Sequence, residues 1–413
     1  MKFIALFIAF IFLYLNTKTL VITFFKQISL FIIFLIVVCS SFGQSKYFLE
    51  TELMGGKIVP NYSVNFPKST LQTAFAINLG SFNTDTSSWA RYYNYPETGL
   101  AFFGSNLGNN KIYGNQFSLS PYIQFKLKNK KNPFYIKLAI GASYFTTHFD
   151  SISNTDNVAI GSGFTWGFQA FLYKSIYHNN GLHLRLGGGY SHASNGHTQL
   201  PNFGLNSGLL SLAAQFYNPK KEPKDLLSVS KQKSRSIFIN FRQGIGFHEL
   251  GGTAEPIGGT KREVYTSALS LGIIFNKHLK VRTGFAYRYY EQYNNYIVTT
   301  QNADYISAPK INSSNIYFFI GSEFLMGHIG LDVMGGLNLY KPFYKEFNTI
   351  YEKNEGTTYY LKKLFASRMG LNLYLINTNK LPQHNFFIGT HINANFGQAD
   401  FTEFNIGYHF QVN

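Results

Sequence analysis

Cysteine is almost absent from this sequence of 413 residues. The one cysteine, Cys39, lies within the apolar N-terminal region. The chain beyond that region therefore has no disulfide, no thiolate nucleophile and no thiolate metal site. Acidic residues are also scarce, at 20 against 36 lysines and arginines. After residue 43 no stretch of about 18 consecutive apolar residues occurs, which excludes helical membrane spans from that part of the sequence.

The first 43 residues are predicted to be a secretory signal peptide. They contain three lysines, no acid and two apolar runs, Phe3 to Leu15 and Ile28 to Cys39, each shorter than the roughly 20 residues of a membrane helix. The second run is followed by Ser41-Phe42-Gly43, a small-x-small pattern that predicts cleavage near Gln44. The first run is interpreted as an extension of the signal, with a membrane anchor as the alternative.

Long segments beyond the signal alternate strictly between apolar and polar residues. From Phe134 to Tyr144 the even positions are apolar, whereas the odd positions include Lys137 and Ser143, and residues 237–247 and 329–339 repeat the pattern. A period of two residues predicts β-strands with one apolar and one polar face. Such strands fit either a soluble sandwich or a membrane barrel with a polar interior.

Three features favour the membrane barrel. The predicted strands have about 10 to 14 residues, enough for a tilted span, whereas soluble strands commonly have about 5 or 6. Aromatic residues cluster at strand ends, as in Phe285 to Tyr290, where interfacial girdles lie. The last strand alternates to the C-terminus, from Phe404 to Val412. We therefore predict an all-β, transmembrane antiparallel β-barrel in the bacterial outer membrane.

Short and long connections alternate along the chain, as they do between the two ends of outer-membrane barrels. This alternation predicts one barrel over residues 44–413 with about 14 strands. Counts of 12 or 16 are alternatives, because the strand boundaries within residues 45–112 are unclear from the sequence. The basic segment 218–234 is long but falls on the short-turn side. Either the strand count is shifted there, or the segment is a periplasmic appendage.

Removal of the signal leaves a formal charge of +13, which attracts phosphate groups. Phosphorylated lipopolysaccharide is the expected neighbour in an outer membrane, and nucleic acid is not an expected partner. Basic rims beside an anionic membrane explain the charge equally well, so the charge supports a membrane setting but no particular substrate.

One strand end carries a candidate active site. Residues i and i+2 of a strand point the same way, so His192 and Ser194 emerge together on the apolar face defined by Leu182, Leu184 and Leu186, while His183 and Arg185 face inward. Asn206 lies on the apolar face of the returning strand, which also carries Leu210 and Leu212. Polar groups on a lipid-facing surface are costly unless they pair or act on a lipid, and an imidazole beside a hydroxyl is the minimum pair that activates serine.

The segment His192-Ala193-Ser194-Asn195-Gly196, followed by Pro201 to Asn206, resembles the outer-membrane lipid A deacylases of PagL type, also described as acyloxyacyl hydrolases. The resemblance covers residues 181–217. It implies that Ser194 is the nucleophile, His192 the general base, and Asn195 with the backbone N–H groups near Gly196 and His197 the oxyanion stabiliser. The implied function is a serine esterase that removes an ester-linked acyl chain from lipid A of lipopolysaccharide. Members of the family include small eight-stranded barrels, so this longer chain departs from that size.

The sequence also departs from the family at the acid that orients the histidine, because that position aligns with Asn206. No aspartate or glutamate occurs between Asp156 and Glu222. An amide accepts the histidine N–H but stabilises imidazolium less than a carboxylate does. Slower chemistry, a distant acid such as Asp150 or Asp156, and lost activity remain open. The rival functions are a porin-like or structural barrel, in which the three residues form a paired polar cluster, and an outer-membrane phospholipase.

Other candidate sites are weaker. His197 is expected to be a solvated loop residue, and Gly187-Gly188-Gly189 is interpreted as a strand bend or as room for an acyl chain. His248-Glu249 has no partner histidine at metal spacing, so no metal site is predicted. No nucleotide or calcium motif occurs, and we expect no cofactor. The oligomeric state and the acyl position are left open.

Overall fold

The computed structural model describes residues 46–60, 66–83, 88–127, 133–220, 233–253 and 260–412. The predicted signal peptide, residues 1–43, lies outside them. Within the described residues there are sixteen strands: β1 Tyr47–Val59, β2 Gln72–Phe82, β3 Glu97–Asn106, β4 Asn115–Lys126, β5 Phe134–Phe145, β6 Phe164–Asn179, β7 Leu182–Ser194, β8 Leu205–Phe216, β9 Arg235–His248, β10 Arg262–Phe275, β11 Leu279–Tyr290, β12 Ser314–Met326, β13 Ile329–Tyr340, β14 Phe365–Tyr374, β15 His384–Asn395 and β16 Gln398–Gln411.

The strands close into two separate antiparallel barrels of eight strands each. In the first barrel β1 pairs with β8, which places Val59 opposite Asn206; in the second β9 pairs with β16. The all-β antiparallel class is confirmed. The prediction of a single barrel with about 14 strands is wrong: the described residues contain sixteen strands, which was the alternative count, and these are divided between two barrels. Alternation describes every strand alike and does not specify which strand closes the sheet, so one long meander and two shorter ones give the same pattern.

The interior of the first barrel is filled by buried charged side chains. Arg185 Nη1 lies 2.9 Å from Glu50 Oε2, and its Nη2 lies 2.8 Å from Glu97 Oε1. Lys137 pairs with Glu52 in the same interior. An eight-stranded barrel is just wide enough to be filled by side chains, and buried charges in such a space must be paired. The predicted inward position of Arg185 is therefore confirmed, as is that of His183, which is also buried.

The opposite strand face is apolar and exposed. Leu210 is 72% exposed and Leu186 54%, and Leu212 is exposed as well. This is the outward face predicted for these leucines. The second barrel repeats the arrangement, because Asp332 binds Arg282 and Arg368 in its interior while the leucines at 269 and 271 are exposed outside.

The long connections leave the strands at one end, where β7 stops and β8 starts. In the second barrel they contain the helices α2 Glu291–Thr300, α3 Pro309–Asn312, α4 Tyr344–Phe347 and α5 Gly356–Leu364, with a π-helix over Asn348–Glu352 between the last two. A short helix, α1 Ser88–Tyr92, and a 3₁₀ turn, Thr378–Lys380, lie at the other end. No helix among the described residues is long and apolar enough to cross a membrane.

The basic segment 218–234 connects β8 with β9, and so joins the two barrels at their short-turn end. Its unexpected length on that side is explained by its position between two closed sheets. Residues 221–232 of this connection lie outside the described residues.

Candidate functional site

The predicted site lies at the end of β7 and the start of β8. The two strands pair in a register that sets His192 directly opposite Asn206. Tyr190, two residues before His192, lies on the same outward face, and its ring is nearly parallel to the imidazole at 6.4 Å between centroids. The strand period therefore brings His192, Ser194 and Asn206 into one cleft, as predicted. Tyr190 joins them, and the sequence analysis had given it no role.

The imidazole of His192 is oriented by Asn206. Its Nδ1 lies 2.7 Å from Asn206 Oδ1, and the hydroxyl of Tyr190 donates to the same oxygen. An amide oxygen only accepts, so the hydrogen of the neutral imidazole is on Nδ1 and the lone pair is on Nε2. The pair thus supplies an oriented base without any carboxylate.

Gly204, at the end of the loop between β7 and β8 that we call the site loop, lies close to both the histidine and the serine. Gly204 has a φ of +73°, and a Cβ there would lie 2.9 Å from His192 Cε1 and 3.2 Å from Ser194 Cβ. Both residues therefore lie against the Gly204 backbone. Only glycine suits this position, for its positive φ and for the lack of space.

Asn195 serves the loop between β7 and β8 rather than the predicted oxyanion. Its backbone N–H donates to Asn202 Oδ1 at 3.0 Å, and its side-chain nitrogen donates to Gln199 O at 2.6 Å and to Ser162 Oγ at 3.2 Å. Both kinds of donor are engaged inside the protein. Gly196 is the other residue predicted to stabilise an oxyanion. Within the described residues its N–H donates to no protein acceptor, so it remains available for that role.

The distant acids considered as alternatives do not reach the histidine. Asp150 is exposed and accepts from the backbone of Ile152 and Ser153 in its own turn, bonds that lower the pKa of its carboxyl. Asp156 is exposed in the same loop. The Nδ1 of His192 is already satisfied by Asn206, so neither aspartate is needed to orient it.

His197 is buried, and the expectation that it is solvated is wrong. Its ring stacks on that of His248 from the second barrel, with 4.9 Å between centroids. Next to it, Glu249 of the second barrel accepts from the Leu200 N–H of the site loop at 2.8 Å. Burial lowers the pKa of His197 and raises that of Glu249. The dipeptide His248-Glu249 thus contacts the site loop of the first barrel.

The second barrel also completes a cleft over the candidate site. The cleft has a volume of about 660 Å³, and its first-barrel lining includes His192, Ser194, Asn206 and Tyr190. The facing side belongs to three segments of the second barrel: residues 252–253, the region 351–362 and the β15–β16 turn. The sequence reasoning missed this half, because nothing in the strand pattern predicts which loops of a second barrel lie over β7.

No group of three or more histidine, cysteine, aspartate or glutamate side chains suited to a metal ion occurs in the described part of the chain.

Comparison with known families supports the resemblance inferred from residues 192–206. Residues 79–215 match the model of the family described as lipid A 3-O-deacylase (PagL). The matched range runs from β2 to β8 of the first barrel and includes His192, Ser194 and Asn206. The resemblance is confirmed for this region, and the protein is an outer-membrane β-barrel protein.

Solved structures give weaker likenesses. The outer-membrane enzyme PagL is 15% identical, with a TM-score of 0.28, and the match covers 40% of this chain and 97% of that one. CdiB from Acinetobacter baumannii is 10% identical over 89% of this chain and 60% of its own, with a TM-score of 0.18. The outer-membrane protein opdK from Pseudomonas aeruginosa is 8% identical over 89% and 98%, with a TM-score of 0.22. No curated protein sequence matches the chain.

Proposed function

We propose that this protein is an outer-membrane serine esterase that hydrolyses an ester-linked acyl chain of lipid A. The observation that carries the proposal is the His192–Asn206 hydrogen bond, which leaves Nε2 of His192 as a base in the cleft that also contains Ser194. The family match over residues 79–215 directs the proposal to lipid A and to its 3-O-linked chain.

In the proposed reaction, Nε2 of His192 takes the proton of the Ser194 hydroxyl as Oγ attacks the ester carbonyl carbon. The resulting oxyanion accepts a hydrogen bond from the Gly196 N–H, a kind of contact that contributes about 3 to 4 kcal/mol per donor in serine hydrolases. His192 then gives its proton to the departing sugar oxygen, and the acyl chain stays on Ser194. Water, deprotonated by His192, opens this acyl-enzyme and releases the fatty acid.

Asn206 keeps the imidazole in the productive tautomer but adds no negative charge. The imidazolium formed in each step is therefore stabilised less than it would be beside a carboxylate. Tyr190 donates to the same oxygen and so competes with His192 for it. We infer that the enzyme is active but slow.

The position of the site suits a substrate that stays in the membrane. Below Asn206 the outward face carries exposed leucines 210 and 212, and a Cβ added to Gly208 would meet no atom within 4 Å. An acyl chain lying along this face would remain in an apolar environment while its ester reaches Ser194 at the strand end. This arrangement supports a lipid substrate over a soluble one.

The experiment is mass spectrometry of lipid A from cells that express the wild-type protein or Ser194→Ala, with folding checked by heat-modifiable migration on gels. We expect a lipid A species lacking one ester-linked acyl chain with the wild type alone. An unchanged lipid A profile with the folded wild type would overturn the proposal, as would equal deacylation by the folded variant. Loss of acyl chains from phospholipids with lipid A intact would favour the phospholipase instead.

A further inference from the structure

The cleft over the candidate site has a polar wall made by the second barrel. We define this wall as Tyr351, Glu352, Lys353, Asn354, Lys362 and Gln398, which all line the cleft. We propose that the wall binds the phosphorylated sugar headgroup of the substrate while the first barrel cleaves the ester. This inference rests on the proposed function and extends it, because it assigns the second barrel a part in substrate recognition.

The wall is a built structure and not a set of loose side chains. Glu352 is fixed through both carboxylate oxygens, since Oε1 accepts from Thr253 Oγ1 at 2.9 Å and Oε2 from Gln398 Nε2 at 2.7 Å. The same Gln398 nitrogen also donates to Thr253 Oγ1 at 2.7 Å. Three separate segments of the second barrel are thereby held together at the edge of the cleft.

Lys362 supplies a positive charge to this edge. Its Nζ donates to Asn354 Oδ1 at 2.9 Å and lies 3.7 Å from Glu352 Oε2, and its side chain is 17% exposed. An ammonium group has three N–H donors, so these two neighbours leave one for a ligand. Lys362 thereby presents a positive charge and an N–H donor to the cleft, which suits a phosphate.

The wall and Ser194 line the same cleft, and the outward face of β7 begins at the strand end that Ser194 occupies. The strand face is apolar, with Leu186 and Leu210 exposed, whereas the wall offers charged and amide groups. A lipid whose ester joins a sugar to an acyl chain has its own polar and apolar parts divided at the ester. Such a molecule places its ester at Ser194 when each part meets the surface of matching polarity.

Contacts between the barrels hold the wall at a fixed place over the site. Trp166 Nε1 of the first barrel donates to Thr402 Oγ1 of the second at 3.1 Å, and that hydroxyl donates to Asn195 O at 3.2 Å. Gly196 lies so close that a Cβ there would be 2.6 Å from Thr402 Oγ1. The Asn202 N–H donates to Thr253 O at 2.8 Å, which links the site loop directly to the network of Glu352.

The test uses Lys362→Met in the full chain, with Lys363→Met as the matched control, since Lys363 is the neighbouring lysine of α5 and does not line the cleft. Three substrates in detergent micelles are compared: lipid A, lipid A freed of its phosphates, and a long-chain p-nitrophenyl ester that has no headgroup. We expect Lys362→Met to lower kcat/KM for lipid A about tenfold, mainly through KM. Dephosphorylated lipid A should be affected less, and the p-nitrophenyl ester and the control variant should not change.

Equal losses on all three substrates would overturn the inference, because they would show a purely structural role, and so would an unchanged kcat/KM for lipid A. If Lys362→Met does not fold, Lys362→Gln takes its place with the same expectations. Binding of lipid A to Ser194→Ala, with and without Lys362→Met, tests the wall without turnover; we expect about tenfold weaker binding in the double variant. Failure of the proposed function would appear instead as activity retained by Ser194→Ala.

Discussion

His192 and Asn206 face each other across the β7–β8 ladder, with Nδ1 of the first 2.7 Å from Oδ1 of the second. The bond fixes the imidazole tautomer through a neutral acceptor. Orientation and charge are therefore separable at this site, whereas a carboxylate would supply both.

Replacement of Asn206 tests this separation. We expect Asn206→Ala to lose most activity because the imidazole is freed, and Asn206→Asp to raise kcat about tenfold, as a carboxylate that raises the imidazole pKa by one unit would do. Asn206→Glu should preserve or raise activity if its longer side chain fits. Rates of lipid A deacylation by the purified variants provide the measurement. Wild-type activity in Asn206→Ala would show that residue 206 does not orient the histidine.

The losses of deacylation rate caused by replacing His192 and Ser194 should not be additive. We expect His192→Ala and Ser194→Ala each to reduce deacylation roughly 10³-fold or more, and the double variant to be hardly slower than either one. Both residues end a strand without contributing to the buried ion pairs, so heat-modifiable migration should be retained. Ser191→Ala, on the opposite face of the same strand, is the control with full activity. Additive losses in the double variant would contradict a shared catalytic step.

Gly204 should be required for activity but not for closure of the barrel. A Cβ there would lie 3.0 Å from Ala193 O and closer still to the His192 ring, so Gly204→Ala should displace the imidazole and reduce deacylation about 100-fold. Gly208→Ala is the matched control, because its added Cβ meets nothing within 4 Å. Equal activities of the two variants would argue against a tightly held imidazole.

Burial of Glu249 against the loop between β7 and β8 should make stability depend on pH. Burial raises the pKa of Glu249 above its ordinary value of 4.5, although the Leu200 N–H and Lys261 oppose the shift. A carboxyl with a raised folded-state pKa stabilises the fold in its protonated form, and this contribution is lost as the pH rises from about 4.5 through the folded pKa. Glu249→Gln keeps an acceptor for Leu200 but does not titrate.

We therefore expect Glu249→Gln to match the wild type in thermal stability at about pH 4 and to exceed it at about pH 7. The temperature at which the gel migration changes, measured over this pH range for both proteins, gives the comparison. A difference that does not vary with pH would contradict the role given to ionisation of Glu249.

The sequence predicts the first-barrel half of the site because that half depends on local rules. A period of two residues is enough to place His192, Ser194 and Asn206 on one face, and the register of a hairpin brings Asn206 opposite His192. Burial of His197 against His248 could not be predicted in this way, because the two residues belong to different sheets.

The second-barrel half depends on where each sheet closes, which is a long-range property. Glu352 and Lys362 lie in helical segments of one connection, and Gln398 begins β16; no local pattern places them over β7. The one available signal is the segment 218–234, whose length on the short-turn side indicates a break between sheets. If segment 218–234 is taken as the boundary between two sheets, eight strands precede it and eight follow it.

Because the two barrels belong to one chain, a weaker contact between them is enough to keep them together. Two separate proteins would need a large, well-packed interface to stay together, since association has a substantial cost in translational and rotational freedom. A tether raises the effective concentration of one partner near the other to the millimolar range when the linker is short. A few hydrogen bonds, such as those of Thr402 and Glu249, can then keep the wall beside the site, and their number could change without separating the barrels. The barrel that holds Ser194 and the barrel that carries the wall are therefore always present in a one-to-one ratio.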